Sequence, residues 1–278
     1  ILRYIPDINP SVFDRIYAAS QEVTRLYGML FSADSRFKIN LQSVYLSIPV
    51  RLGKRGDSSD TKNILQIYDA IFSQRKISKR AIIGYMTDAI GIIQQTRDGY
   101  NISFLGNQEL SGTILRMVFL IRFLEYLGCF EEEDGMDVSC LNLPDDMKEF
   151  ITQMKFDEQK TALFLLGVLI GEIGNKQYQS RKEMDNQKPI LNKLNFNGID
   201  KSKLIRLIKD IFAKLKQEKI LQYTEVIFAE MKRLFDKNIE NWQYDKDENL
   251  FYILSGYAYK TQKSIISAST SKSEQIEI

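Results

Sequence analysis

Apolar residues recur at intervals of three and four along most of this chain, the spacing that gathers them on one face of an α-helix. Residues 11–31 carry Val12, Ile16, Val23, Leu26 and Leu30 in that register, with Pro10 just outside. Asp60 stands where it would cap a helix through Phe72, and Ser78 where it would cap another through Gln95. Over 111–127 the apolar positions nearly encircle the helix: Ile114, Leu115, Val118, Phe119, Ile121, Phe123 and Leu124. Such a helix belongs at the centre of a bundle, and Gly128 follows it in the usual stopping position. The second half predicts helices over 144–154, 157–178, 200–219, 224–237 and 245–262.

One stretch breaks the helical period. In LQSVYLSIPV, Leu41, Val44, Leu46 and Ile48 lead to Pro49, whose ring disfavours helix at the residue before it. The RLGKRGDSSD that follows is a turn or loop. The pattern therefore predicts an all-α protein with at most a short extended segment near 41–50. It divides into an N-terminal helical region over 1–140 and an antiparallel bundle over 141–263. A Ser/Lys/Glu-rich tail over 264–278 is expected to fray. Ile1 in place of Met suggests a piece of a longer polypeptide.

Between 161 and 196 the pattern changes most abruptly. The segment TALFLLGVLIGEIGNKQYQ carries Gly167, Gly171 and Gly174, then gives way to a basic insert and KPILNKLNF. Glycine inside a helix costs about 1 kcal/mol relative to alanine, so three of them require a packing reason. In membranes a G-x-x-x-G spacing promotes helix pairing, but the apolar run 162–171 is about half the roughly 20 residues a span needs. Tight packing within a bundle is the expectation.

Charge sharpens this picture. The net charge is only +2, but the ends of the distribution differ. Residues 125–160 hold eleven acids and three bases, and residues 176–219 hold twelve bases and five acids. In the helix opened by Asp200, Leu204, Ile208, Ile211, Phe212 and Leu215 form the expected dry stripe. Lys203, Arg206, Lys209 and Lys216 fall within about 140° of arc on the other side. Cations neutralise phosphates, the amides of Asn175, Gln177, Asn192 and Asn195 suit sugar and phosphate oxygens, and Tyr178 and Phe196 are placed to stack unpaired bases. No base-reading motif accompanies them, so backbone contact is the mode expected. The same residues also fit a lysine-rich solvated surface.

Composition removes most catalytic chemistries. The chain has no histidine, which excludes Ser-His-Asp and Cys-His centres and His-ligated zinc. Cys129 and Cys140 fit no metal motif and suit a reducing cytoplasm. The acidic run Glu131–Asp134 with Asp137 has no EF-hand spacing and reads as a solvated linker. No P-loop, GxSxG, GxGxxG or HExxH occurs. No cofactor and no enzymatic activity are expected.

LLGVLIGEIGNKQY followed by KPILNKLNF resembles the C-terminal region of the large subunit of the type I-B CRISPR-associated surveillance complex (Cascade). EVIFAEMKRLF and NLFYILSGYAYKTQK are similar to that family's closing helices, which end in an F-x-x-x-x-GY segment. VYLSIPVR and ILQIYDAIFSQRKIS are similar upstream, so the resemblance covers most of 44–263. It implies a non-enzymatic subunit acting with a guide RNA and target DNA beside backbone and small subunits, with a helicase-nuclease recruited transiently. In RNA-guided effectors base pairing reads the target while protein holds the backbone. The resemblance covers little that would match the family's N-terminal domain, tied to reading the target-flanking motif, so it does not imply that role here. It also implies that a small subunit could start internally, at Met147 or Met154. The residues placed for phosphate contact are Lys176, Arg181, Lys182, Lys188, Lys193, Lys203, Arg206 and Lys209. A helical protein–protein scaffold with a solvated lysine surface is the alternative.

Overall fold

Capping chemistry sets where the helices start and stop. The computed structural model describes residues 10–31, 67, 70–73, 75–97, 104–179, 198–217, 220–238, 242 and 245–274. Among them the helices are α1 (Pro10–Phe31), α2 (Lys79–Arg97), α3 (Phe104–Tyr126), α4 (Asp145–Gln153), α5 (Glu158–Gln179), α6 (Lys201–Gln217), α7 (Leu221–Asn238) and α8 (Lys246–Glu274). Residues 67 and 70–73 are helical too, and no described residue is in a strand. The protein is all-α. The extended segment expected near 41–50 lies outside the described residues.

Asp157 accepts from the Lys160 amide at 2.7 Å, and Asp200 from the Lys203 amide at 2.9 Å. Asp245 accepts from the amides of Asp247 and Glu248, each at 2.9 Å. Each carboxylate satisfies amide donors that have no partner inside their own helix. Helix α3 closes in a Schellman turn at Gly128 (φ 72), where Cys129 N–H donates to Leu124 O at 2.9 Å and Gly128 N–H to Glu125 O at 2.8 Å. Helix α4 closes the same way with Lys155 in the glycine position at φ 50. A side chain there costs about 1 kcal/mol.

Three boundaries differ from the pattern. Helix α3 starts at Phe104 rather than Ser111, and α7 at Leu221 rather than Thr224. Thr224 does not cap; its hydroxyl donates to Ile220 O at 3.0 Å from inside the helix. Helix α8 continues to Glu274 through the stretch whose composition predicts fraying. Ser264 is held there, accepting from Asn175 Nδ2 of α5 at 2.8 Å and donating to Lys260 O at 3.0 Å.

Two units form. The first comprises Ile1–Tyr85 with Arg116–Glu133, and the second Met86–Leu115 with Asp134–Ile278. In the first, α1 buries Val12, Ile16, Val23, Leu26 and Leu30, as its spacing predicts. Tyr27 and Phe31 pack edge-on to Phe119 at 5.3 and 6.3 Å. Arg15 donates to Leu127 O at 2.6 Å, satisfying a carbonyl at the end of α3. A largely buried charge cluster completes this unit. Lys79 Nζ lies 2.7 Å from both Glu125 and Glu133, and Arg122 pairs with Glu125. Two cations meet two carboxylates, so the cluster is neutral as a group. Glu133, expected in a solvated linker, is therefore held in an ion pair.

The second unit is organised by α5 and α8, which cross backbone to backbone. A Cβ on Gly167 would lie 1.8 Å from Ile253 O, and a Cβ on Gly256 1.9 Å from Phe164 O. The two glycines face each other across one contact, and Gly171 receives the stem of Lys260 next to it. Aromatic rings fill the space beside the crossing. Phe150 of α4 stacks on Phe164 at 5.0 Å and meets Tyr259 at 4.8 Å, and Phe156 lies edge-on to Tyr252 at 5.3 Å. Tyr259 donates to Asp146 at 2.9 Å, and Lys263 pairs with the same carboxylate at 3.2 Å. Burial raises the Asp146 carboxyl, but the bonds from Tyr259 and Lys263 outweigh it and hold the group below the ordinary Asp value. Burial and the Asp146 charge together push the Tyr259 phenol well up. No described helix is long and apolar enough to cross a membrane.

Candidate nucleic-acid interface

Helix α6 is the element of the second unit that divides most cleanly into a dry and a charged face. Its start is fixed from three sides. Gly198 adopts φ 98, where a Cβ would press on Lys246 at 2.9 Å. Ile199 N–H donates to Lys246 O at 2.9 Å, and the buried Asn249 amide donates to Ile199 O at 3.0 Å. Asp200 then caps the helix. The Lys203 amide and Ser202 hydroxyl hold its carboxyl below the ordinary Asp value.

The face α6 buries is Leu204, Leu207, Ile211 and Leu215. The expected stripe had Ile208 and Phe212 in place of Leu207. At 100° per residue the buried seam is turned by about 40° from that expectation. Helix α6 packs against α5 and α7, and the narrower seam of spacing three and four suits that groove. Ile208 is half-buried and Phe212 lies at the rim, 38% exposed.

The outer face carries the cations. Lys203, Arg206 and Lys209 are all exposed on one side of α6. Lys203 has a 3.3 Å pair with Asp200, itself exposed. Among the described residues, Arg206 and Lys209 have no hydrogen-bond or ion-pair partner. Lys176 is exposed near the C-terminus of α5, also without such a partner among the described residues. Cations on neighbouring helices are differently placed. Lys237 pairs with Glu158 at 2.6 Å, Lys260 with Glu172 at 2.5 Å, and Arg233 with Glu230 at 2.8 Å. Helix α6 has six basic residues and one acid, Asp210, so its outer face is strongly positive. Such a face attracts phosphates and releases their counterions on contact.

The structure thus brings Lys203, Arg206 and Lys209 together and places Lys176 on a different helix. Arg181, Lys182, Lys188 and Lys193 lie outside the described residues, as does Phe196. Sequence reasoning missed Phe212 as a surface residue. Leu207 was the available signal, because 204, 207, 211 and 215 already complete a seam without it. No group of His, Cys, Asp or Glu side chains among the described residues is arranged to hold a metal ion. Asp137, in the acidic run, instead accepts from the amide and hydroxyl of Ser139 in a local turn, which holds its carboxyl low.

Comparison with known proteins adds a family. The model of the CRISPR-associated protein TM1802 (cas_TM1802) C-terminal domain matches residues 39–271. No curated protein and no solved structure matches the chain. The family match takes in every described helix but α1 and the last turn of α8, and it includes the glycine crossing and the cationic face of α6. With more than four-fifths of its length matched, the chain belongs to the CRISPR-associated TM1802 family, as its C-terminal domain.

Proposed function

We propose that this chain is a non-catalytic subunit of an RNA-guided type I-B interference complex, the C-terminal part of its large subunit. It holds nucleic-acid backbone and helps to keep the target DNA open. Its partners are the guide RNA and target DNA, the backbone and small subunits, and a helicase-nuclease that joins transiently. The observation that best supports this is the outer face of α6, where Arg206 and Lys209 stand exposed and without partners among the described residues. Opening a duplex against a guide exchanges two helices of nearly equal stability. A few phosphate contacts to the displaced strand are then enough to tip the balance. A face of this kind needs no base-reading device.

Lys176, Arg181, Lys182, Lys188 and Lys193 extend the same role along the segment before α6. An internally started small subunit fits Met147 better than Met154. A start at Met154 would omit α4, and with it the Phe150 ring stacked on Phe164.

The test is binding of a DNA bubble by the purified chain across a salt series. Reversing Lys203, Arg206 and Lys209 to Glu should weaken binding across unrelated sequences. It should also reduce the slope of log affinity on log salt by about 2, at roughly 0.7 per single-strand phosphate. Unchanged affinity and slope would overturn the proposal and favour a helical protein–protein scaffold with a solvated surface.

A further inference from the structure

We infer that the exposed ring of Phe212, flanked by Lys209 and Lys216, is a stacking platform for an unpaired base of single-stranded DNA. The inference rests on the proposed backbone-holding role of α6 and adds a contact that role does not contain. Phe212 keeps 38% of its surface exposed. Its ring is not loose, because Phe228 of α7 stacks against it at 5.1 Å with an interplanar angle of 26°. The ammonium of Lys216 lies over the ring, 4.9 Å from its centroid.

The helix sets the rest of the arrangement. Lys209 stands three residues before Phe212 and Lys216 four after, so both neighbour it on the surface. Asp210, the one acid of α6, lies about 160° round the helix from Phe212 at 100° per residue. A planar apolar surface with a cation on either flank, turned away from the nearest acid of its own helix, suits one kind of occupant. A base needs the ring, and the phosphates on either side of it need the ammonium groups. Only an unpaired base offers a free face, so the platform selects single strands over duplex without reading sequence.

The arriving base has to replace the Lys216 ammonium. An exposed cation over a ring is worth about two- to fivefold in a binding constant. A base stacked on an aromatic side chain is worth about five- to a hundredfold. The exchange therefore runs toward the base, and the released ammonium is free to meet an adjacent phosphate. In the free protein Lys216 shields the ring from water, which explains how a large aromatic residue is kept at this rim.

The test measures affinity for a single-stranded DNA oligonucleotide and its matched duplex. Phe212→Ala should lose about tenfold or more on the single strand while duplex affinity and salt slope stay unchanged, because no phosphate contact is removed. Phe212→Leu keeps an apolar contact for Phe228 but has no π face, and should show the same loss. Phe212→Trp should retain binding, and its added indole emission should be quenched by the single strand. The native Trp242 is only 5% exposed and provides a stable background. Wild-type single-strand affinity in the Ala and Leu variants would overturn the inference. Equal or tighter binding of single-stranded RNA of the same sequence would overturn its assignment to DNA. If the Lys203, Arg206 and Lys209 reversals weaken binding but the Phe212 variants do not, the platform alone fails. If neither set changes binding, the proposed function itself fails.

Discussion

Helices α5 and α6 belong to one unit and face opposite demands. Helix α5 is buried along 161–171 and touches α8 so closely that two glycine positions meet carbonyl oxygens. Helix α6 buries only a narrow seam and turns six cations, one acid and a partly exposed phenylalanine outward or to the rim. The glycines of α5 are unfavourable by helix propensity, yet their work is packing. The proposed backbone contact lies one helix later, on a surface that packing leaves alone. A costly sequence feature therefore marks where the fold is tight, and a tight place is a poor one for meeting nucleic acid.

The sharpest way to break this contrast is to put a side chain into the crossing. Gly167→Val should cost more than about 3 kcal/mol of stability, because backbone of α8 occupies the space and cannot yield as a side chain would. Thermal or urea unfolding would measure it, and a Val variant with wild-type stability would show that the crossing is loose.

Next in size is the contact that pins α4 to α8. Asp146→Asn should cost about 1 kcal/mol, the worth of hydrogen bonds to a charged group reduced for its partial exposure. It should also flatten the acid limb of the stability curve. The folded carboxyl sits below the ordinary Asp value of 3.8, so its contribution is complete above that pH and lost as pH falls through the folded value. An acid limb identical in the Asn variant and the native protein would rule the contact out as its source.

A smaller effect of opposite sign is expected from a glycine that meets nothing. A Cβ at Gly112 of α3 has no neighbour within 4 Å. Gly112→Ala should therefore stabilise by up to about 1 kcal/mol, from helix propensity and reduced unfolded-state entropy. The same assay that records the loss at Gly167 should record this gain. A loss at both would mean that the glycines are not distinguished by packing.

The smallest effect on stability should come from α6. Reversing Lys203, Arg206 and Lys209 together should move the unfolding free energy by no more than about 0.5 kcal/mol, as exposed charges generally do. The same variant should lose DNA affinity. A large loss of stability instead would make the cations structural and remove the contrast with α5.

The legible parts of the sequence were those set by local chemistry. Asp157, Asp200 and Asp245 cap the helices they were expected to open, Ser78 accepts from the Ala81 amide at 3.2 Å, and Gly128 ends α3. The stripe on α1 and the apolar circumference of α3 are buried as their spacing required. Some helix ends were less legible. Helix α7 starts at Leu221, ahead of the expected 224, and the polar stretch after Ser264 is helical to Glu274, with Ser264 itself bonded to Asn175 of α5. The lysines and arginines at 181, 182, 188 and 193 belong to a segment outside the described residues, so the proposed site is argued from α6.

Sequence by itself determined the helical class, most helix starts, the absence of histidine chemistry and the sign of the charge on α6. These follow from spacing, capping side chains and composition, which act within a few residues. Tertiary structure decided that Gly167 meets Gly256, because two residues 89 apart in the chain are brought together only by the crossing of α5 and α8. It decided that Leu207 goes inward and Phe212 stays at the rim, since the groove between α5 and α7 admits one narrow seam. It also decided which cations are spent on ion pairs and which remain available, a distinction set by the acids on neighbouring helices.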